Sequence, residues 1–222
     1  MWSEKSIKLI NLIEFLSKYY IVIIIGFCAL LYSSFGFKKD TSRSIRIITI
    51  YLICYFLSEF AMRLHAAYGI RNHYVSHFYF LPQFVLLSLF YKTLFTKFQK
   101  KIVNTILITI LSILTIQYIT FPKLLVELNT LEVLLTNSAI IFYAILHLYN
   151  SLTEKGKFMY INAGILLYIS CSTLIFFLFR LVNFKELEIN SDPIILVNRL
   201  LMIGYISLYI IEYKQTLWKS IK

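Results

Sequence analysis

Apolar runs of about 20 residues recur along this chain, each closed by a short cluster of charged or helix-breaking residues. Seven can be read, at residues 19–37, 46–66, 74–95, 102–121, 124–149, 158–180 and 194–213. A hydrocarbon core of about 30 Å takes about 20 helical residues to cross. The pattern therefore predicts an all-α fold, a polytopic membrane helix bundle with seven transmembrane helices. Composition excludes the alternatives: 59% hydrophobic residues, 15% charged residues and a mean hydropathy of +0.74 exceed what a water-soluble core needs.

The connections KKDTSR at 38–43, RNH at 71–73, TKFQKK at 96–101, FPK at 121–123, TEKGK at 153–157 and FKELEINSDP at 184–193 are short, as antiparallel neighbours require. Six Gly and three Pro leave no room for long flexible linkers, so residues 1–222 read as a single transmembrane domain. Residues 1–18 have no small-residue cleavage site, and Glu14 and Lys18 interrupt their apolar stretch. They read as a retained interfacial helix with Trp2, Leu9, Ile13 and Leu16 on one face, not as a signal peptide. Cys28, Cys54 and Cys171 fall inside apolar runs, where a thiol behaves as a small hydrophobe.

Orientation follows from the basic residues. With seven spans, 13 of the 22 Lys and Arg side chains fall on the side of the first, third and fifth connections and the C-terminus. The positive-inside rule places that side in the cytoplasm and the N-terminus outside, as a multi-pass protein of the inner membrane. Most acidic residues fall on the other side, so the net charge of +11 is largely a cytoplasmic fringe facing anionic lipid. The lipid bilayer is the expected partner, and no nucleic acid is needed to explain the charge.

Ionisable residues inside spans are costly and mark function by default. Tyr51, Tyr55, Glu59 and Arg63 share a stripe on the second span. Asn129, Glu132, Thr136, Tyr143, His147 and Asn150 share one on the fifth, and Asn198, Met202, Tyr205, Tyr209 and Glu212 one on the seventh. A lipid-facing placement would leave these groups unpaired in hydrocarbon, so the stripes should face the bundle interior. The ionisable and amide groups Glu59, Arg63, His77, Gln83 (beside Pro82), Glu132, Asn137, Asn198 and Arg199 gather in the outer half. They define a candidate outward-facing, ligand-binding pocket among spans two, three, five and seven, with Glu132 and Arg199 as candidate partners. The competing reading makes the same groups interhelical glue.

His73 and His77, four residues apart, would present both imidazoles on one helix face, as a metal-binding helical pair does. No third ligand is fixed by spacing, so no metal is expected; a pH-sensing role is equally open to them. There is no HExxH, no GxSxG and no glycine-rich phosphate loop, so neither a catalytic constellation nor a cofactor is expected. The last span carries no Lys for a retinal Schiff base. No internal repeat is visible, which places transport below sensing.

The runs NHYVSHFYFLPQFVLLSLFY, FMYINAGILLYISCSTLIFFLF and NRLLMIGYISLYI resemble the small seven-helix membrane proteins of Bacteroidetes-type bacteria. They are similar to the seven-transmembrane input modules of histidine kinases. The resemblance implies a sensor or receptor binding a small ligand or membrane partner from outside. With no output domain read after Lys222, signalling would pass through another polypeptide in the membrane or cytoplasm. The alternatives are an accessory or scaffold subunit of a membrane complex and, third, an intramembrane lipid-modifying enzyme using Glu59 or His77.

Overall fold

The computed structural model describes residues 4–70, 72–153, 156–181 and 192–217, with side chains at 19–70, 72–153, 156–178 and 194–216. Every long element is helical: α1 (Glu4–Gly36), α2 (Arg43–Ala67), α3 (His77–Leu94), α4 (Lys97–Thr120), α5 (Thr130–Thr153), α6 (Met159–Leu181) and α7 (Asp192–Glu212). Short 3-10 turns at His73–Ser76 and Pro122–Leu125 lead into α3 and follow α4, and a π turn at Tyr213–Leu217 ends the described chain. Among the described residues six helices, all but α3, are long and apolar enough to cross a membrane. The expectations for Arg71, Glu154, Lys155, the 182–191 connection and residues 218–222 lie outside the described residues, as do the side chains of the first 18 residues.

Packing runs α1 on α2, α2 on α3, α3 on α5, α5 on α6, α6 on α7, and α7 back on α1, closing a ring. α4 lies outside that ring, against α3 and α5. This accounts for the composition of α3. Only Phe78 on that helix is exposed, because α4 covers it from outside while α2 and α5 flank it. A helix shielded from lipid can carry His77, Gln83 and Lys92 and need not match its neighbours in apolarity.

α4 itself buries only Val103, Ile110 and Leu114. Apolar contact between helices supplies little drive in a lipid-like environment, so polar contacts have to hold such a helix. Two reciprocal amide pairs do so. Near one end Gln99 and Asn150 exchange two bonds of 3.0 Å. Near the other, Asn129 Nδ2 donates to Gln117 Oε1 at 2.9 Å, with a longer return bond. α4 is thus clamped to the α5 side at both ends. It starts sharply because Thr96 and Gln99 form a capping box.

The three polar stripes face inward as their 3.6-residue period requires: Tyr51, Tyr55, Glu59, Glu132, Thr136, Tyr143, His147, Tyr205, Tyr209 and Glu212 are all buried. One boundary differs from the sequence reading. α5 begins at Thr130 and not near 124, because Pro122 opens a separate 3-10 turn and Asn129 caps the helix, its Oδ1 accepting from the Leu131 and Glu132 amides. Glu132 therefore lies in the first turn of α5, where the helix dipole favours a carboxylate, and its burial comes from α3 and α4.

Candidate functional site

Four of the residues singled out by sequence line one cavity of about 180 Å³: Glu59 of α2, Gln83 of α3, Asn137 of α5 and Asn198 of α7. Each lies six to eight residues from the same end of the bundle, roughly 9–12 Å along its helix. Ser76, Tyr79, Tyr168, Ser172, Met62 and Met202 complete much of the wall. The floor is set by a chain of hydrogen bonds whose direction follows from donor counting. Tyr51 Oη donates to Gln83 Oε1 at 3.4 Å, which spends its one hydrogen. Tyr205 must then donate to Tyr51 across 2.8 Å, and Tyr209 to Tyr205 across 2.9 Å. Beyond Gln83, its amide donates to Asn137 Oδ1 at 3.4 Å, and Asn137 Nδ2 to Thr173 Oγ1 at 2.8 Å. Thr173 closes the series on the Ile169 carbonyl. Both amides of this series thus donate along it.

Two further groups on the wall are acceptors. Glu59 lies 3.6 Å from Arg63 Nε, one turn along α2. Asn198 Oδ1 is buried and has no hydrogen-bond partner among the described residues. An unpaired buried acceptor costs about 1–3 kcal/mol, so the cavity is chemically incomplete at Asn198.

A second polar cluster lies between α3, α4 and α5. His77 Nδ1 is 2.5 Å from Glu132 Oε2, and Tyr118 Oη donates to the same oxygen at 2.6 Å. His77 Nε2 faces the Glu127 carbonyl at 3.1 Å; a carbonyl only accepts, so Nε2 carries a hydrogen. A single further proton then lies between Nδ1 and Oε2, and the pair is neutral in sum on whichever atom it rests. Glu132 Oε1 is buried with no partner. The arrangement is a locked joint of three helices.

The expected outer cluster thus divides. Glu59, Gln83, Asn137 and Asn198 meet at the cavity, and Arg63 flanks it through Glu59. His77 and Glu132 belong to the separate joint. The expected Glu132–Arg199 partnership is corrected: the carboxylate is taken by His77 and Tyr118, and among the described residues no ion pair joins it to Arg199, which does not line the cavity. A helical period fixes which face a side chain occupies but not which helix it meets. The His73–His77 pair is corrected too. His73 is exposed on the 3-10 turn while His77 is buried at the start of α3, so the change of helix type separates them. Among the described residues no three His, Cys, Asp or Glu side chains gather as metal ligands.

Sequence reasoning missed Tyr118, Tyr168 and Ser172. Tyr168 and Ser172 stand at i, i+4 on α6, a spacing that could have marked them as one face. Ser172 lines the cavity, and Thr173 beside it accepts from Asn137. No protein-family model matches the chain, and no curated protein and no solved structure matches it either.

Proposed function

We propose that this is a multi-pass inner-membrane protein of sensor or receptor type. In this reading it binds a small polar ligand, rich in hydrogen-bond donors, in the outer-half cavity and passes the signal to another polypeptide. The observation that carries the reading is the unpaired Asn198 Oδ1 on a cavity shared with the Glu59 carboxylate. Two acceptors lining one cavity call for a ligand with N–H or O–H groups, and the carboxylate favours an ammonium. The volume, about 180 Å³, is below the 300–1,000 Å³ of sites for drug-sized molecules, so the ligand has few heavy atoms. The hydrogen-bond series from Gln83 through Tyr51 and Tyr205 to Tyr209 supplies a physical connection from that cavity toward the far half of the bundle.

Seven spans, with the N-terminus outside, complete the proposal. The 18 residues of α3 extend roughly 27 Å, close to the hydrocarbon thickness, and its position inside the packing supports counting it as a span. The basic residues at the start of α2 and around the α3–α4 connection support a cytoplasmic placement of that end. Single cysteines at Lys39 and Lys123, introduced after replacement of the three native ones, test this: an impermeant thiol reagent applied to intact cells should label position 123 and spare 39. Labelling at 39 would overturn the orientation.

Binding of ethanolamine and related small amines to the purified protein, followed by calorimetry, tests the ligand class. Glu59→Gln and Asn198→Ala should abolish binding while the thermal midpoint holds. If both variants instead lose the folded protein, the groups are glue. A second reading, membership in a membrane complex, is favoured by an apolar groove of about 470 Å³ between α6 and α7, lined by Leu167, Val197, Leu200 and Leu208 with Gly164 and Gly204 at its base. Copurification with a defined subunit at fixed ratio would support it.

A further inference from the structure

At the end of the bundle where α2 and α4 begin and α3 ends, a cleft of about 420 Å³ is lined by Arg43, Ser44, Leu89, Lys92, Thr93 and Lys100. Three cations from three helices converge on it, and among the described residues no acidic side chain lines it. Like charges held together repel, and nothing in the wall neutralises them. The hydroxyls in the wall are already committed. Thr93 Oγ1 donates to the Phe90 carbonyl at 2.6 Å, so in its 2.8 Å contact with Ser44 it must accept. Ser44 and Thr93 therefore tie α2 to α3 and hold Arg43 and Lys92 in register. The start of α2 adds to the positive field: Ser42 makes no side-chain cap there, unlike Thr96 at the start of α4, and Arg43 follows it directly.

We propose that this cleft binds a phosphate group, either the headgroup phosphate of an anionic lipid or a soluble phosphate. Arg43 supplies a planar fork suited to two phosphate oxygens, and Lys92 and Lys100 supply point charges from the other walls. The site lies where helices end, at the depth where headgroups sit in either leaflet, and it is independent of the outer-half cavity.

The test uses the full chain in detergent, with phosphatidylglycerol or inorganic phosphate as the probe and native mass spectrometry as the readout. Wild type should retain one phosphatidylglycerol through dilution, and R43Q/K92Q/K100Q should bind it on the order of a hundredfold more weakly. K97Q/K101Q removes two exposed charges from the same end without touching the cleft and should bind like wild type. Inorganic phosphate that competes at millimolar concentration assigns the site to a soluble phosphate; lipid retained through it assigns the headgroup. Equal loss in the triple variant and the control, or no loss in the triple variant with either probe, would overturn the proposal.

Discussion

Ser58 Oγ on α2 donates a 2.9 Å hydrogen bond to the backbone carbonyl of Phe78 on α3. Phe78 is the residue four before Pro82, so this carbonyl is the one that the proline ring deprives of its helical N–H. A neighbouring helix thus restores what the proline removes, as backbone in a low-polarity interior requires.

Ser58→Ala should therefore destabilise the protein by about 1 kcal/mol. Pro82→Ala returns an N–H to the Phe78 carbonyl, so in that background Ser58→Ala should cost less. Denaturation of the four proteins of this cycle in detergent measures the difference, and equal costs in both backgrounds would break the link between Ser58 and the proline.

Gly36 ends α1 against the side chain of Thr49 on α2. A Cβ at Gly36 would collide with Thr49 Oγ1, and that hydroxyl is held by its bond to the Ile45 carbonyl. Gly36→Ala should cost about 1–3 kcal/mol through overpacking, and Thr49→Ala should return only part of it, because the Cβ at 49 would still lie 2.7 Å from the new methyl. Thermal midpoints of the single and double variants check the compensation.

How much of this was legible beforehand depends on what kind of information a sequence carries. The period of 3.6 residues put Tyr51, Tyr55 and Glu59 on one face, and Tyr205, Tyr209 and Glu212 on another, and all six are buried. Glu59, Gln83, Asn137 and Asn198 could be grouped because depth along antiparallel helices can be counted at a fixed rise. Neighbour identity cannot be counted this way. Glu132 was matched by depth to Arg199, whereas the ring order sets α3 and α4, carrying His77 and Tyr118, beside it. The position of α4 outside the ring likewise has no signature in its apolar run, only in Gln99 and Gln117 near its two ends.

The joint at Glu132 makes a distinction between charge and hydrogen bonding measurable. His77 Nδ1 and Tyr118 Oη meet the same oxygen of Glu132, so a glutamine there can serve only one of them: its NH2 donates to His77 Nδ1 or its carbonyl accepts from Tyr118. Glu132→Gln, which keeps one of the two bonds, should cost about 1–2 kcal/mol, whereas Glu132→Ala, which strands both partners, should cost about 3 kcal/mol. Tyr118→Phe removes one neutral donor and should cost about 1 kcal/mol in the wild type, less in Glu132→Ala. Unfolding of the purified variants reads all three; a glutamine as costly as alanine would mean that the joint depends on an ion pair.

The amide clamps predict an asymmetry between breaking and exchanging partners. Gln99 and Asn150 each give and receive one 3.0 Å bond, so Gln99→Ala leaves the amide oxygen and nitrogen of Asn150 without their partner and also removes the acceptor of the Thr96 N–H in the capping box. Interhelical bonds of this kind average well under the value of a fully buried bond, about 0.6 kcal/mol each in membrane proteins. The single variant should therefore lose about 1 kcal/mol, and the same holds for Gln117→Ala at the other end. The double variant removes both clamps from a helix that buries only three residues, Val103, Ile110 and Leu114. Its loss should appear locally before it appears globally: hydrogen exchange in α4 should rise while α2, α5 and α6 stay protected. Exchanging the two side chains of the first clamp, Gln99→Asn together with Asn150→Gln, preserves both donors and both acceptors and should keep α4 protected where Gln99→Ala does not. Uniform exchange across the bundle in the double alanine variant would show that α4 is held by its apolar face and not by the clamps.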